Sequence, residues 1–193
     1  MSDRLDAAFD AQPRSRFLPA SVRAQAPLDV PLPIGFGQTN SQPTTVRNML
    51  ALLDVHAGMR VLEVGAGTGW VVAVLAELTG PEGAVLGTER IARLAALGEA
   101  NLEQAAVPWA RIVPSGDVLG APGEAPFDRI LVSAMARKMP RGLVEQLRRG
   151  GVLVAPVAGQ MVRLGRGEPP HDGADDAHVT RHGGYRFVPL IED

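Results

Sequence analysis

A glycine-rich turn between a strand-like run and a helix-like run constrains the fold of this chain more than any other feature. Residues 60–64 have the composition of a buried strand, and residues 70–78 form an apolar segment of helical length. The turn that joins them, residues 65–69, reads Gly-Ala-Gly-Thr-Gly, and glycine lets the backbone turn tightly and approach a ligand closely. This order predicts an α/β sheet that binds a nucleotide-like ligand at the turn. The alternative is a turn whose glycines serve close packing alone.

Strand-like and helix-like segments alternate along most of the chain, which predicts a mostly parallel seven-stranded sheet flanked by helices. Strands are predicted at residues 60–64, 84–88, 112–113, 127–133, 151–157, 160–164 and 185–190. Helices are predicted at residues 43–53, 70–78, 90–105 and 141–148. We expect the last two strands to form an antiparallel C-terminal pair, joined by an exposed turn at residues 165–184.

The first 43 residues have a different character. Residues 3–25 show helical spacing that prolines interrupt, which predicts short surface helices. Residues 27–43 crowd prolines and glycines together, which predicts a long irregular loop. Loops of this length in a compact domain are usually functional or disordered. We expect all 193 residues to form one domain, in which residues 1–43 supply the N-terminal helices and the loop and residues 44–193 form the ligand-binding sheet core.

Composition excludes several classes of function. The formal net charge is −2, from 19 basic and 21 acidic side chains, so the chain lacks the basic footprint of a nucleic-acid or membrane-surface protein. The absence of cysteine excludes a disulfide framework, a cysteine zinc site and a cysteine nucleophile. Neither a signal peptide nor a membrane-spanning run is visible. We therefore expect a cytoplasmic protein without a nucleic-acid or membrane partner.

Acidic side chains stand at or near the ends of the first three predicted strands. Glu63 lies near the end of the first strand, Glu89 ends the second, and Asp117 follows the third directly after Gly116. A carboxylate at the position of Glu89 can accept hydrogen bonds from both ribose hydroxyls of a nucleoside, and one at Asp117 can accept from an adenine amine. The alternatives are a solvated glutamate at a helix start and an ordinary turn aspartate.

The glycine spacing favours S-adenosylmethionine (SAM) over a dinucleotide. The turn has the pattern G-x-G-x-G, whereas dinucleotide-binding turns have G-x-G-x-x-G and must cradle a pyrophosphate, which SAM lacks. The predicted cofactor site on the sheet consists of Glu63, Gly65, Ala66, Gly67, Glu89, Arg90, Gly116 and Asp117.

The proline- and glycine-rich loop before the sheet gives a more specific indication. Residues 32–43 read LPIGFGQTNSQP, which resembles the acceptor loop of the protein-L-isoaspartate O-methyltransferases, where Gln-Thr-Ile-Ser-x-Pro precedes a helix. The glycine turn, the carboxylates after the strands and the ending FVPL at residues 187–190 follow in the family's order. The resemblance covers about residues 16–190.

The resemblance implies a fold, a reaction and a set of site residues. The fold is the Rossmann-like SAM-dependent methyltransferase fold, and the reaction moves a methyl group from SAM to the α-carboxylate of L-isoaspartyl residues in damaged proteins. The products are S-adenosylhomocysteine and a methyl ester, which closes to a succinimide without the enzyme and returns some normal aspartate. Ser41 matches the family's active-site serine, and Gln38, Thr39 and Asn40 are expected to border the methyl donor and acceptor.

The chemistry agrees with the residues of the loop. A carboxylate is ionised at pH 7, so it needs no general base, and the loop offers no His, Glu or Lys between Pro31 and Val46. We therefore expect Ser41 to orient the acceptor carboxylate by a hydrogen bond, with help from the amides that open the helix at Pro43. The alternative is that Ser41 only caps this helix. Asp128 is expected to be structural.

Two segments depart from the family pattern and leave other readings open. Asn40 replaces an apolar residue, and residues 133–140 (SAMARKMP) replace a segment that resembles Thr-Ala-Ala-Pro in the family. A SAM methyltransferase for a different carboxylate, or a SAM-binding protein with little turnover, would fit these changes. Arg137 and Lys138 are either solvated or able to recruit an acidic acceptor.

A nicotinamide-dependent oxidoreductase would need a catalytic tyrosine, and the only tyrosine in the chain is Tyr185. We expect no metal site, since the four histidines show no ligand spacing, and we expect a monomer.

Overall fold

A computed structural model describes residues 2–167 and 177–191 of the chain. Seven of its strands form one sheet in the order β5-β4-β3-β6-β7-β8-β9. In chain order the strands are β1 (Leu32–Gly35), β2 (Gln38–Asn40), β3 (Arg60–Val64), β4 (Ala84–Glu89), β5 (Ala110–Pro114), β6 (Phe127–Val132), β7 (Leu147–Val157), β8 (Gln160–Arg166) and β9 (Ala177–Gly184). Strands β3 to β7 pair in parallel, and β7, β8 and β9 pair antiparallel. The predicted sheet is confirmed.

Helices cover both faces of the sheet. They are α1 (Ser2–Ala11), α2 (Pro43–Leu53), α3 (Trp70–Thr79), α4 (Ala92–Ala105) and α5 (Arg141–Gln146). One apolar core joins α1, α2, α3 and α4 to the sheet face that carries Val61 and Val85. The other core joins α5 to the opposite face, which carries Leu62 and Leu86. The alternation of neighbouring residues between the two cores is what a strand buried on both faces requires.

Helix α3 is buried on all sides, which explains its continuous apolar sequence. It packs on the sheet on one side, and α1 crosses its other side. The guanidinium of Arg4 in α1 donates to the carbonyl of Leu78 at 2.9 Å, and Gln12 donates to Glu77 at 2.7 Å. The N-terminal segment is therefore attached to the helix that follows the glycine turn.

The loop predicted at residues 27–43 contains regular structure that the sequence did not indicate. Strands β1 and β2 form a small antiparallel hairpin, with Leu32 opposite Asn40. Leu32 and Ile34 are buried in a cluster with Leu18 and Leu94 of α4. The prediction of an irregular loop is thus wrong in part, because alternate residues of this short hairpin have a core of their own to cover.

The C-terminal strand pair is confirmed, but its second strand was predicted in the wrong place. Strand β9 occupies residues 177–184, whereas 185–190 forms only one isolated bridge, between Pro189 and Met135. Strand β9 is a largely exposed edge strand, so it lacks the apolar alternation by which strands are recognised. The turn predicted at 165–184 is therefore wrong where it overlaps β8 and β9, and its residues 168–176 lie outside the described residues.

Candidate active site

The carboxyl ends of β3, β4, β5 and β6 open onto one cleft of about 330 Å³. It lies where the strand order reverses, between β3 and β6, which is where open α/β sheets bind ligands. The loops that follow the four strands line it, and the β1–β2 hairpin and residues 188–191 complete its wall. A smaller cavity of about 30 Å³ adjoins the cleft between the hairpin and the glycine turn. We call this smaller cavity the deep end.

The glycine turn donates its backbone amides to the protein itself. Gly65 and Ala66 donate to the carbonyl of Thr88 at 2.8 and 3.1 Å, and Gly67 donates to Oε2 of Glu89 at 2.9 Å. These three amides are therefore not available to cradle a pyrophosphate, which dinucleotide-binding turns hold on such groups. This arrangement argues against a nicotinamide-dependent oxidoreductase.

The tyrosine that such an oxidoreductase would use is also engaged elsewhere. Tyr185 accepts a hydrogen bond from the amide of Asn48 at 3.1 Å and packs against the core that contains α1 to α4. It does not line the cleft.

Glu89 is fixed at the end of β4 by two backbone amides. Its Oε2 accepts from Gly67, and its Oε1 accepts from the amide of Ile91 at 2.8 Å. Each carboxylate oxygen has two lone pairs, so both oxygens can accept a further hydrogen bond from a ligand. A carboxylate held in this way can bind a pair of neighbouring hydroxyls without reorganising.

Glu63 is buried behind the glycine turn, with an exposed fraction of only 1%. The hydroxyl of Ser133, after β6, donates to its Oε1 at 2.7 Å, and its Oε2 has no partner among the described residues. Burial raises the pKa of Glu63 to about 8; the Ser133 hydrogen bond opposes this shift, and the charge of Glu89 adds to it. A cation or hydrogen-bond donor that enters the cleft would find this oxygen unpaired.

The rim of the cleft carries exposed charged residues of both signs. Arg90 follows Glu89, and Gly116 and Asp117 follow β5. Arg141, at the start of α5, lies on the rim as well. The rim can therefore offer both acceptors and donors to the outer part of a ligand.

All twelve residues that the sequence analysis selected line the cleft or its deep end. Gln38 and Thr39 of the hairpin, Gly65, Gly67, Glu89, Arg90, Gly116 and Asp117 line the cleft; Asn40, Ser41, Glu63 and Ala66 line the deep end. The acceptor loop and the glycine turn, 24 residues apart from Ser41 to Gly65 in the chain, thus meet at one point.

Ser41 does not cap the helix that follows it. The first turn of α2 is instead capped by Asp29, whose Oδ1 accepts from the amide of Thr44 at 2.8 Å and whose Oδ2 accepts from Gln42 at 2.9 Å. The hydrogen bonds from Thr44 and Gln42 lower the pKa of Asp29. The capping alternative is therefore wrong, and the amide of Thr44 at the start of α2 is already bound by a carboxylate of the protein itself.

Ser41 lines the deep end, and its hydroxyl makes no hydrogen bond within the described part of the chain. Asn40 differs from it, because its side chain is bound. The exposed fraction of Asn40 is 7%, and its Oδ1 accepts from Nε of Arg14 at 2.7 Å. Asn40 lines the deep end, but its amide oxygen is turned to Arg14.

Sequence reasoning missed several residues of the site. Ser133 was noted only as part of an altered segment, and its contact with Glu63 could not be inferred from the chain. Val188 to Ile191 also line the cleft, because two backbone hydrogen bonds tie them to the loop after β6: Met135 donates to the carbonyl of Val188 at 2.7 Å, and Leu190 donates to the carbonyl of Met135 at 2.8 Å. The signal for this second group was present, since the ending FVPL belongs to the resemblance.

Asp128 lies away from the cleft, as predicted. Its carboxylate accepts from the backbone amide of Arg60 at 2.7 Å and from the guanidinium of Arg148 at 2.8 Å.

Within residues 2–167 and 177–191 no group of three or more histidine or acidic side chains is placed to hold a metal ion. His171 lies outside the described residues. In the same ranges no helix has the length and apolar character needed to cross a bilayer.

The comparisons with known proteins agree with the geometry of the site. The whole chain, residues 1–193, matches the family described as Protein-L-isoaspartate(D-aspartate) O-methyltransferase (PCMT). Protein-L-isoaspartate O-methyltransferases of Methanopyrus kandleri and Methanothrix thermoacetophila are each 44% identical to it, over 98% and 99% of this chain and 84% and 89% of their own.

The chain belongs to the protein-L-isoaspartate O-methyltransferase family. A solved protein-L-isoaspartate O-methyltransferase has the same fold, with a TM-score of 0.86 at 24% identity; it covers 98% of this chain, which spans 61% of its length. A second structure, of a protein from Plasmodium falciparum in complex with S-adenosylhomocysteine, has a TM-score of 0.81 at 20% identity, over 99% of this chain and 91% of its own. As a member of this family the chain is a SAM-dependent methyltransferase.

The residues of the cleft fit SAM. The unpartnered Oε2 of buried Glu63 suits a cofactor that carries an ammonium group and a sulfonium cation. Glu89 and Asp117 supply the carboxylate acceptors that a nucleoside requires, and the amides of the glycine turn are closed to phosphate. The set therefore matches a cationic nucleoside without a phosphate.

Proposed function

We propose that this protein transfers the methyl group of SAM to the free α-carboxylate of L-isoaspartyl residues in damaged proteins and peptides. The observation that carries the proposal is that Ser41, whose hydroxyl has no hydrogen-bond partner among the described residues, lines the deep end of the cleft where the acceptor hairpin meets the glycine turn. The methyl ester that forms closes to a succinimide without the enzyme, so that the reaction serves protein repair.

The residues have distinct roles in this proposal. Glu63, Glu89 and Asp117 bind the cofactor, which supplies an electrophilic methyl group when bound. Ser41 donates a hydrogen bond to the acceptor carboxylate and sets the direction of its oxygen. Such alignment alone can contribute roughly 7–11 kcal/mol to the lowering of the barrier.

No proton has to move in this reaction. A carboxylate is already ionised at pH 7, and the acidic residue that precedes the loop in the chain, Asp29, is engaged at the start of α2. A methyltransferase for an amine or alcohol would more often place a base beside the acceptor. The lack of such a group among residues 31–46 supports a carboxylate acceptor.

The hairpin also excludes water from the reacting groups. Its inner residues Leu32 and Ile34 are buried, and Ile34 lines both the cleft and the deep end. The reaction neutralises a cation and an anion together, so a site with little water favours it.

A second candidate is a SAM methyltransferase for a different carboxylate. The observation that favours it is the loop after β6, where Arg137 and Lys138 are exposed beyond Ser133 and could recruit an acidic acceptor. Asn40 gives this candidate less support than the sequence suggested, because its side chain is bound to Arg14 rather than free in the site.

The test is methyl transfer from labelled SAM to two synthetic peptides that differ only in L-isoaspartate or L-aspartate at one position. We expect base-labile methyl esters on the isoaspartyl peptide alone. Equal labelling of both peptides would favour the second candidate. Absence of labelling while S-adenosylhomocysteine still binds would contradict the proposal and point to a protein with little turnover.

The remaining expectations concern the surroundings of the enzyme. We infer that it acts as a monomer, because the acceptor hairpin must stay accessible to protein chains, and that its 193 residues form one methyltransferase domain. The attachment of α1 to α3 by Arg4 and Gln12 supports one domain. A cytoplasmic location and the lack of a nucleic-acid partner stay predictions from composition.

A further inference from the structure

Arg14 is the most heavily hydrogen-bonded side chain near the acceptor loop. It lies in a short 3-10 helix, Arg14–Phe17, and only 6% of its surface is exposed. Its Nε donates to the side chain of Asn40 at 2.7 Å, and its Nη2 donates to the carbonyls of Asn40 and Ser41 at 3.0 and 2.9 Å. A guanidinium can make so many contacts because it carries five N–H donors in a rigid plane.

The same guanidinium also holds the chain that enters the hairpin. Its Nη1 donates to the carbonyl of Leu28 at 3.1 Å, and its Nη2 donates to that of Val30 at 2.8 Å. Leu28 and Val30 precede β1, whereas Asn40 and Ser41 end β2 or follow it. One side chain thus joins the two ends of the segment 28–41, which contains the β1–β2 hairpin of the acceptor loop.

Arg14 contacts the cofactor side of the site as well. Its Cζ lies 5.4 Å from the centre of the Trp70 ring, and Trp70 is the first residue of α3, directly after the glycine turn. The indole of Trp70 is fixed in turn, since its Nε1 donates to the carbonyl of Gln12 at 3.0 Å and its ring meets that of Phe9 edge-on. Arg14 therefore connects the acceptor loop to the start of the helix behind the glycine turn.

The partners of Arg14 explain the unusual residue at position 40. Every hydrogen-bond acceptor of Arg14 is a neutral oxygen, and none is a carboxylate. An apolar residue at position 40 would leave the buried Nε without an acceptor, which is costly. Asn40 supplies that acceptor from the residue next to Ser41.

We propose that Arg14 is a positioning residue for methyl transfer: together with Asn40 it fixes the carbonyl of Ser41 and the base of the acceptor loop against Trp70, so that the Ser41 hydroxyl faces the deep end. The proposal rests on the function proposed above. Arg14 contacts Ser41 only through the backbone, and its role is to hold the serine, not to bind the substrate.

The experiment compares Arg14→Lys, Asn40→Leu and Asn40→Asp with a matched control, Arg4→Lys. Arg4 also donates from its guanidinium to a backbone carbonyl, that of Leu78, away from the cleft. The first measurement is amide hydrogen exchange of residues 28–41 and of the sheet strands β3 to β6, which requires no substrate. The second is kcat and KM for an isoaspartyl peptide, at saturating SAM.

For Arg14→Lys we expect exchange at residues 28–41 to rise by roughly tenfold or more, while the sheet strands stay unchanged. We expect kcat to fall by roughly tenfold to a hundredfold with a much smaller change in KM. Asn40→Leu should show the same effects to a smaller degree. Asn40→Asp should keep the exchange rate of residues 28–41 near that of the wild type, because it keeps the hydrogen-bond acceptor, and Arg4→Lys should resemble the wild type in both measurements.

Two results would overturn the proposal. One is an unchanged exchange rate of residues 28–41 and an unchanged kcat in Arg14→Lys. The other is a general rise of exchange over the whole sheet, which would make Arg14 an ordinary stabilising residue. A wild type that methylates no isoaspartyl peptide would contradict the proposed function, and the exchange measurement would still decide whether Arg14 holds the loop.

Discussion

The hydroxyl of Ser133 donates a 2.7 Å hydrogen bond to Oε1 of Glu63, and it joins the loop after β6 to the strand that leads into the glycine turn. Glu63 keeps its second oxygen buried and unpaired within the described part of the chain. We expect a cationic ligand that binds beside this oxygen to change the protonation and the hydrogen bonds of the Glu63 carboxyl group.

The free energy of unfolding should fall as pH rises from about 5 to 8, because the Glu63 carboxyl group ionises in this range. Burial raises the pKa of Glu63 to about 8 in the folded state, so the folded protein holds this proton more tightly than the unfolded chain does. The stabilisation that comes from this proton is complete below the pKa of Glu63 in the unfolded chain and is lost as pH rises through its pKa in the folded protein. Between these two pKa values the free energy of unfolding falls by about 1.4 kcal/mol per pH unit.

Urea unfolding at several pH values measures this dependence, with two variants for comparison. Glu63→Gln should flatten the slope between pH 5 and 8, whereas Glu103→Gln, an exposed change in α4, should leave it as in the wild type. A slope that persists in Glu63→Gln would show that another group causes it.

Glu89→Gln should weaken the binding of S-adenosylhomocysteine by at least about tenfold, or about 1.4 kcal/mol. Glutamine has one acceptor oxygen, so the amide of Gly67 or of Ile91 loses its partner and the glycine turn loosens. Titration calorimetry measures the affinity, again with Glu103→Gln as control. Affinity equal to that of the wild type would exclude Glu89 from the cofactor site.

The wild type should not bind NADH, because the amides of Gly65, Ala66 and Gly67 already donate within the protein. Calorimetry with NADH and with S-adenosylhomocysteine at equal concentration tests this. Tight binding of NADH would mean that the turn opens to accept a pyrophosphate, which would support a nicotinamide-dependent oxidoreductase.

Phe36→Gly should raise the free energy of unfolding by roughly 0.5–1.5 kcal/mol. Phe36 stands at the tip of the hairpin with φ of +54°, between two glycines of positive φ, and the exposed fraction of the residue is 54%. Glycine removes the left-handed strain at little loss of packing, whereas Phe36→Ala keeps the strain and should give no gain. Thermal unfolding of both variants makes the comparison, and a destabilised Phe36→Gly would mean that the ring packs in solution.

Asp29→Ala should lower the melting temperature, and Asp29→Asn should lower it less. Both oxygens of Asp29 accept hydrogen bonds at the start of α2, from Thr44 and Gln42, and asparagine can still cap a helix. Asp10→Ala, an exposed change at the end of α1, is the control. Melting temperatures of Asp29→Ala and Asp29→Asn equal to those of the wild type and of Asp10→Ala would show that α2 does not need this cap.

Much of the architecture follows from local patterns in the chain. The apolar run at residues 60–64, the glycine turn and the long apolar segment of α3 follow one another in the order of a strand–turn–helix unit, and α2 begins at Pro43 and ends at Leu53 as predicted. The short strands β1, β2 and β9 carry no such pattern. The hairpin is defined by a local cluster with Leu18 and Leu94, and β9 is an edge strand with little apolar surface to bury.

The sequence predicted the site residues that lie at the ends of strands. It did not predict those whose position depends on contacts between distant parts of the fold. Glu63, Glu89 and Asp117 could be placed because parallel strands bring their carboxyl ends together. Nothing in the chain indicated that Asn40 would bind Arg14 or that Asp29 would take the start of α2. Those contacts join residues 13 to 26 positions apart through a loop whose path the sequence does not determine.

The most direct test of the account is the rate of methyl ester formation on an isoaspartyl peptide by SAM-saturated wild type and Ser41→Ala, with Ser21→Ala, an exposed serine outside the cleft, as control. A hydrogen bond to a charged group is worth about 1.5–3 kcal/mol, so we predict a rate lower by roughly tenfold to a hundredfold in Ser41→Ala, with unchanged affinity for S-adenosylhomocysteine. An unchanged rate in Ser41→Ala would contradict the claim that this serine orients the acceptor carboxylate.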